Sequence, residues 1–299
     1  MKPLLTLCSI LSLALLSVRS YSQLKDSALS AKEVVVAKPD SVSAKKEKTT
    51  FTTALDFYSN LHYFGRTDIL RSTAWVPNVF LQFGNGIFLN SSLIFVNSSG
   101  QALKYTAATL GGGYKWGNPA KVHTLTGSVY AAKFFYSNSL LVQSSQEGQA
   151  GIALSYRNKI ANINGGSSIA FGDQTDFFTI IGLDHLFKYN SKNGKNIFAF
   201  IPTFNVNAGT QNFTNTYYKR GSIPFTDTLV TETSKRFNVL SLELNVPLVY
   251  IHNKFAFTLT PGVVFPQNVI KVEGRPDLSE NASTLGYANF GVSYTFGKK

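Results

Sequence analysis

From Phe51 to Phe296 the chain alternates apolar and polar residues with a period of two. The stretch Val239–Tyr250 carries the pattern most cleanly. Its even positions are Leu240, Leu242, Leu244, Val246, Leu248 and Tyr250, and its odd positions include Ser241, Glu243 and Asn245. Successive side chains of an extended strand point to opposite faces, so this stretch has one apolar face and one polar face; a helix would mix the two sets. An ordinary strand averages ~5–6 residues, whereas a tilted strand crossing a bilayer needs ~9–11.

The same alternation predicts twelve strands, at 51–64, 73–83, 87–96, 104–116, 122–136, 149–157, 161–171, 177–187, 197–208 and 239–250, then from Phe255 through Val263, and at 285–296. That is roughly 21 residues per strand and connection, where a soluble sandwich repeats every ~8–12. The connections after even-numbered strands are short, beginning with the tight turn Gly84-Asn85-Gly86. The long ones, Ser137–Gly148, Gly209–Lys235 and Pro266–Thr284, follow odd-numbered strands. Aromatic residues gather near strand ends: Trp116, Tyr156, Phe187, Tyr250 and Phe296 on the short-turn side, and Tyr63, Trp75, Tyr136, Phe171, Phe177 and Phe265 on the other. All this predicts an all-β fold, a transmembrane antiparallel up-and-down β-barrel of about twelve strands (ten to fourteen if strand ends shift), with short periplasmic turns and longer extracellular loops.

Three local features qualify the pattern. Gly111-Gly112-Gly113 permits a bend within a strand. Lys133 shares the outward parity of Leu125, Val129 and Phe135, which a bulge or a lysine reaching for the rim would reconcile. Pro202 and Pro247 lie inside strands of a sheet that has no free edge, so each is expected to break the ladder.

Composition narrows the class. Charged residues are only 15%, aromatics reach 13%, and Tyr and Phe together number 38. Mean hydropathy is near zero, and after the first twenty residues no apolar run is long enough to span as a helix. Met1-Lys2, the apolar Leu4–Val18 and the small-x-small Ser20-Tyr21-Ser22 predict a secretory signal peptide over 1–22. Residues 23–50, rich in Lys, Ser and Ala, predict a flexible periplasmic tail, and 51–299 the barrel. The only cysteine, Cys8, lies in the leader, so no disulfide or Cys-ligated metal is expected in the mature chain. Without Lys2 and Arg19, 26 basic residues face 16 acidic ones. For an exported chain this favours anionic lipid or solutes over nucleic acid.

The leader through Gln23, the alternating strands from Phe51 and the terminal strand Asn289–Phe296, with Phe290, Val292, Tyr294 and Phe296 on one face, resemble those of Gram-negative outer-membrane β-barrel proteins. The chain departs from that class in continuing as Gly297-Lys298-Lys299 after Phe296. The resemblance is one of architecture, and it implies outer-membrane lipid and lipopolysaccharide as surroundings.

Two places could carry chemistry. Ser59 and His62 lie close in sequence, as a nucleophile and base of a lipid-modifying barrel enzyme would, but parity sets them on opposite faces of a strand, so no catalytic residues are assigned. His123, His185 and His252 fall near turns. No spacing suggests a metal, and no cofactor is expected. The other place is the lumen, where parity puts Asp56, Asn60, Asn78, Gln82, Asn90, Lys115, Arg157, Asp184, Asn205, Asn207, Glu243 and Asn245. These are mostly amides, suited to hydrogen-bonding small polar solutes in a wet channel. The expected function is a passive, non-enzymatic channel; the alternative is a closed structural or interaction barrel, with residues 209–235 and 266–284 as the segments able to plug it.

Overall fold

A computed structural model describes residues 49–67, 72–97, 103–118, 122–137, 146–192, 196–212, 235–270 and 283–296. The expected leader, nearly all of the tail and most of the two predicted plug segments lie outside them.

Twelve staves close into an antiparallel barrel: β1 (Thr50–Tyr58), β2 (Thr73–Gln82), β3 (Ile87–Asn97), β4 (Lys104–Trp116), β5 (Leu125–Tyr136), β6 (Gln146–Tyr156) and β7 (Asn162–Gly172), then β8 (Asp176–Asp184 continued by Phe187–Asn190), β9 (Asn196–Phe200 continued by Thr203–Gly209), β10 (Asn238–Asn245 continued by Leu248–His252), β11 (Phe255–Pro266) and β12 (Leu285–Phe296). Each pairs with its sequence neighbour, and β1 closes on β12 from Phe51↔Phe296 to Tyr58↔Asn289. With an even count, the first and last staves begin and end at the same rim. Among the described residues no helix is long and apolar enough to cross a membrane.

The outer face is an apolar girdle. Leu55, Leu89, Leu110, Val129, Ile152, Ile181, Leu244, Leu259 and Phe290 are all exposed on it. In water so wide an apolar surface would aggregate; in hydrocarbon it is the required surface, and closure leaves no unpaired edge. Lys133 is on this face too, and its ammonium donates to Glu147 at 2.7 Å near the long-loop rim, where charge reaches water.

The predicted breaks fall where the prolines stand. Pro202 and Pro247 lie between the two parts of β9 and of β10. The carbonyls of Pro202, Pro247 and Pro261 accept the amides of His185, Ile201 and Val246 at 3.3, 3.0 and 3.0 Å, so the prolines form an oblique row across β9, β10 and β11. Each lacks the N–H that a regular rung would return.

The structure corrects the sequence reading at two points. The leucine row of Val239–Tyr250 is not wholly outward. The β9–β10 register shifts between Asn207 and Ala208, and the extra residue, Leu240, turns inward and is fully buried. The first strand also ends at Tyr58 rather than Phe64, so Leu61 and Tyr63 are not lipid-facing. Both are buried, at 1% and 4% exposure, because the chain leaves the wall at Ser59-Asn60.

The two faces of β10 and β11 can be told apart by charge. Leu244→Arg puts a cation on the lipid face at a cost of about 2–4 kcal/mol, and is expected to deplete folded protein from the membrane fraction. Thr258→Arg, on the inner face of β11, is expected to assemble normally. Ser241 is not a usable inner control: it is fully buried and hydrogen-bonded to Asn207, so arginine there has nowhere to go.

Candidate functional site

The connection between β1 and β2 enters the barrel. It forms a small hairpin, His62–Tyr63 against Arg66–Thr67. Phe64 and Gly65 form its two-residue turn, with φ of 51° and 80°. Paired positive φ values are what a tight hairpin needs, but a phenylalanine in this region is uncommon and must be held by its surroundings. Those surroundings are aromatic. Phe64 lies 5.3 Å from the ring of Phe178 and 4.5 Å from that of Tyr63, which itself meets Phe178 edge-on at 5.8 Å. Ala170 and the inward-turned Leu240 complete this cluster.

The hairpin is braced around most of the circumference. Leu61 packs into an apolar patch of the β1–β5 inner wall formed by Tyr58, Ala74, Val76, Ile94, Ala107 and Phe134, among others. From β6, Gln146 Nε2 donates to the Tyr63 hydroxyl at 3.1 Å. The His62 ring lies 4.9 Å from that of Tyr287 on β12. A Cβ on Gly65 would stand 3.1 Å from Val264 and 3.2 Å from Pro266 of β11, so the turn fits the wall closely. Arg66, only 7% exposed, donates from Nη1 to the carbonyls of Phe64 (3.3 Å) and Leu240 (3.2 Å) and from Nη2 to Gln267 (3.0 Å) and Asn268 (3.5 Å).

Toward the short-turn end the wall becomes polar. Asn78 Nδ2 donates to Asp56 at 2.6 Å, and a Cβ on Gly291 of the neighbouring stave would collide with Asp56, so glycine makes the room this carboxylate occupies. Asp184 accepts from Asn162 at 2.6 Å and from Asn164. Glu243 Oε1 accepts from the Tyr287 hydroxyl and, at 3.3 Å, from Asn245. Gln149 Nε2 donates to Ser168 at 2.6 Å. Lys115 sits over the rings of Phe80 and Phe88, at 5.0 and 5.4 Å. Nearer the short-turn rim, Ile197, Ala199, Val249 and Ile251 form a buried apolar cluster on the inner face of β9 and β10.

Of the residues that parity assigned to the lumen, Asp56, Asn78, Gln82, Asn90, Lys115, Asp184, Asn205, Asn207, Glu243 and Asn245 occupy alternating inner positions of staves. Arg157 lies just past the end of β6. Asn60 is not on the wall: it lies in the bend leading to the hairpin and donates to the Gly286 carbonyl at 3.0 Å. Asp56–Asn78 and Glu243–Asn245 are the pairs within this set that hydrogen-bond. The hairpin residues Tyr63, Phe64 and Arg66 were missed by sequence reasoning, and the Phe64-Gly65 dipeptide was the available sign of a turn. The opposite-face expectation for Ser59 and His62 does not apply, since the stave ends at Tyr58: Ser59 Oγ accepts the Ala288 amide at 2.8 Å, while His62 Nδ1 accepts the Gly65 amide at 3.4 Å. Among the described residues no group of His, Cys, Asp or Glu could hold a metal.

His62 belongs to the connection rather than to a stave. Burial holds its imidazole below the ordinary histidine value, with the Glu243 carboxylate opposing. Among the described residues the charged group acting on it is Glu243 from β10, and the Tyr287 ring of β12 lies beside it. A released hairpin would protonate His62 at its ordinary value, so protons favour release. Seating is complete above pH ~6.5 and weakens as the pH falls below it. Amide exchange across residues 61–67 is expected to quicken between about pH 7 and 5, after correction for intrinsic rates; a His62→Gln variant that keeps the same pH dependence would assign it elsewhere.

Closed, girdled and hydrogen-bonded stave to stave, the chain is a membrane-spanning β-barrel of porin-like architecture. No family model matches it, and no curated protein does. Among solved structures it is similar to the KdgM porin (9% identity over 83% of this chain and 99% of that one, TM-score 0.47) and to the NanC porin (14%, 82% and 98%, TM-score 0.43). It is also similar to LpxR from Salmonella typhimurium (12%, 82% and 100%, TM-score 0.43). These are likenesses of barrel shape.

Proposed function

We propose that the protein is a non-enzymatic channel of a bacterial outer membrane that passes small polar solutes, with the β1–β2 hairpin as its constriction. The observation that carries this reading is the polar inner wall. Asn90 Nδ2, Asn207 Oδ1 and Asn289 Oδ1 are buried without a hydrogen-bond partner among the described residues. Such atoms cost about 1–3 kcal/mol each in a dry core, so an interior meant only to be filled would avoid them. At twelve staves a barrel is wider than the eight that side chains alone fill.

On this reading the short-turn rim and both chain ends face the periplasm, residues 1–22 are the export signal, and residues 23–50 form a periplasmic tail. Outer-membrane lipid and lipopolysaccharide surround the girdle, and the Lys133–Glu147 pair lies at the outer leaflet. A closed structural barrel is the second reading, favoured by the bracing of the hairpin. Purified protein in a planar bilayer separates the two. The channel reading expects small stepwise currents. Folded protein that gives none, both intact and without its hairpin, would establish a closed barrel.

A further inference from the structure

The inner wall of β9 and β10 holds a concentration of hydrogen-bond acceptors without donors. Asn205 and Glu243 are direct cross-strand partners in the β9–β10 ladder, and Asn207 lies one inner position further along β9. Among the described residues both hydrogen bonds to the Glu243 carboxylate fall on Oε1, from Tyr287 and Asn245, and Oε2 receives none. Asn207 is 2% exposed; its Nδ2 donates to Ser241 Oγ at 3.0 Å, yet its Oδ1 is buried with no partner. Asn205 has no side-chain hydrogen bond among the described residues, and its Oδ1 lies where a Cβ on Gly182 of β8 would stand, so this glycine clears space for the amide.

Three acceptors, one of them anionic, thus lie at neighbouring inner positions of two adjacent staves just below the hairpin, with Asn205 Oδ1 leaning toward Gly182 of β8. Among the described residues no lysine or arginine pairs with Glu243: its hydrogen-bond neighbours are Tyr287 and Asn245. A carboxylate in a lumen attracts a cation unless the protein supplies one, and field lines concentrate within low-dielectric walls. A primary ammonium group carries one positive charge and three N–H donors, which matches this count and charge.

We infer that Glu243, Asn205 and Asn207 form a binding subsite in the lumen for the protonated amine of a polar solute. The inference deepens the channel reading and rests on it for its role in passage, though not for the binding itself. The opposite wall differs in kind: Lys115 covers the Phe80 and Phe88 rings there, so the two sides of the lumen discriminate by charge.

Spermidine is a suitable probe, used on the folded barrel in detergent micelles by titration calorimetry and then in planar bilayers. The expected result is saturable one-site binding that Glu243→Gln weakens about tenfold, as loss of one charge-assisted contact implies. Glu243→Gln keeps the shape and the Asn245 and Tyr287 neighbours. Asn205→Asp adds a second carboxylate beside the first and is expected to tighten binding, a gain that mere structural damage cannot produce. In bilayers, a potassium chloride gradient is expected to give a cation-selective reversal potential that Glu243→Gln moves toward zero. Binding with these variant effects but no current would overturn the channel reading and leave the subsite standing. Current without cation preference, together with no spermidine binding or binding indifferent to both variants, would overturn the subsite and leave the channel standing.

Discussion

Excising His62–Thr67 and closing the gap with two glycines is expected to raise the single-channel conductance severalfold. The residues removed are those that cross the barrel from the Leu61 patch on β1–β5 to Phe178 and Leu240 on β8 and β10. The staves do not depend on them: β1 pairs with β2 from Thr50 to Tyr58 and with β12 from Phe51 to Tyr58, and β2 resumes at Thr73. The barrel should therefore still close, and its folded form should still resist unfolding in detergent. What changes is the cross-section at the long-loop half, where the rings of Tyr63, Phe64 and Phe178 now meet. Equal conductance before and after excision would mean that the limiting constriction lies elsewhere. The short-turn end, with its apolar cluster of Ile197, Ala199, Val249 and Ile251, would then be the next place to test.

The second large effect is expected from Arg66→Ala. Its guanidinium joins the hairpin turn, through the Phe64 carbonyl, to the carbonyls of Leu240, Gln267 and Asn268. Charge-assisted bonds contribute about 1.5–3 kcal/mol each, but they are not additive and the longest of the four, at 3.5 Å, counts for little. A net loss of about 3 kcal/mol in hairpin seating is a reasonable expectation, which corresponds to roughly a hundredfold faster amide exchange over residues 61–67. Exchange in the staves should be unchanged, because the lost bonds lie at the rim. Arg66→Lys should restore only a fraction, since one ammonium cannot serve carbonyls on both sides of a planar fork. Unaltered exchange in the alanine variant would show that the aromatic cluster alone holds the hairpin.

The staves were legible in the sequence for a plain reason. A wall between lipid and a polar lumen imposes opposite demands on successive residues, and the alternation from Thr50 to Phe296 records them. Pro202 and Pro247 were legible because a missing N–H has the same meaning in any sheet. The hairpin was not. Leu61 and Tyr63 continue the parity of Leu55 and Phe57, so a stave extended by six residues and a strand folded inward look identical by alternation. Only three-dimensional closure brings Phe178, Leu240 and Tyr287 to the same point. Leu240 was misread for a related reason: a bulge adds one residue to the count and reverses the face, and nothing in Val239–Ser241 announces it. The inner face is also less uniform than two opposed solvents would require. Ile197, Ala199, Val249 and Ile251 are buried on it, so at the short-turn end the polar and apolar halves of the code no longer separate inside from outside. The pairing of Glu243 with Asn205, from segments thirty-eight positions apart, depends on register and was likewise beyond the reach of periodicity.

The oblique row of Pro202, Pro247 and Pro261 has a mechanical consequence. A barrel owes its stiffness to an unbroken net of lateral hydrogen bonds, and scattered gaps in such a net would soften it evenly. Here three of the missing donors, those of Pro202, Pro247 and Pro261, lie in line on adjacent staves, each crossed by one amide, from His185, Ile201 or Val246, to a proline carbonyl. Lateral pressure from the membrane will therefore fold this cylinder along one diagonal crease. Its cross-section is expected to flatten there first, because the interruptions elsewhere, at Pro77 of β2 and at the register shifts beside Ile94 and Gln146, stand singly.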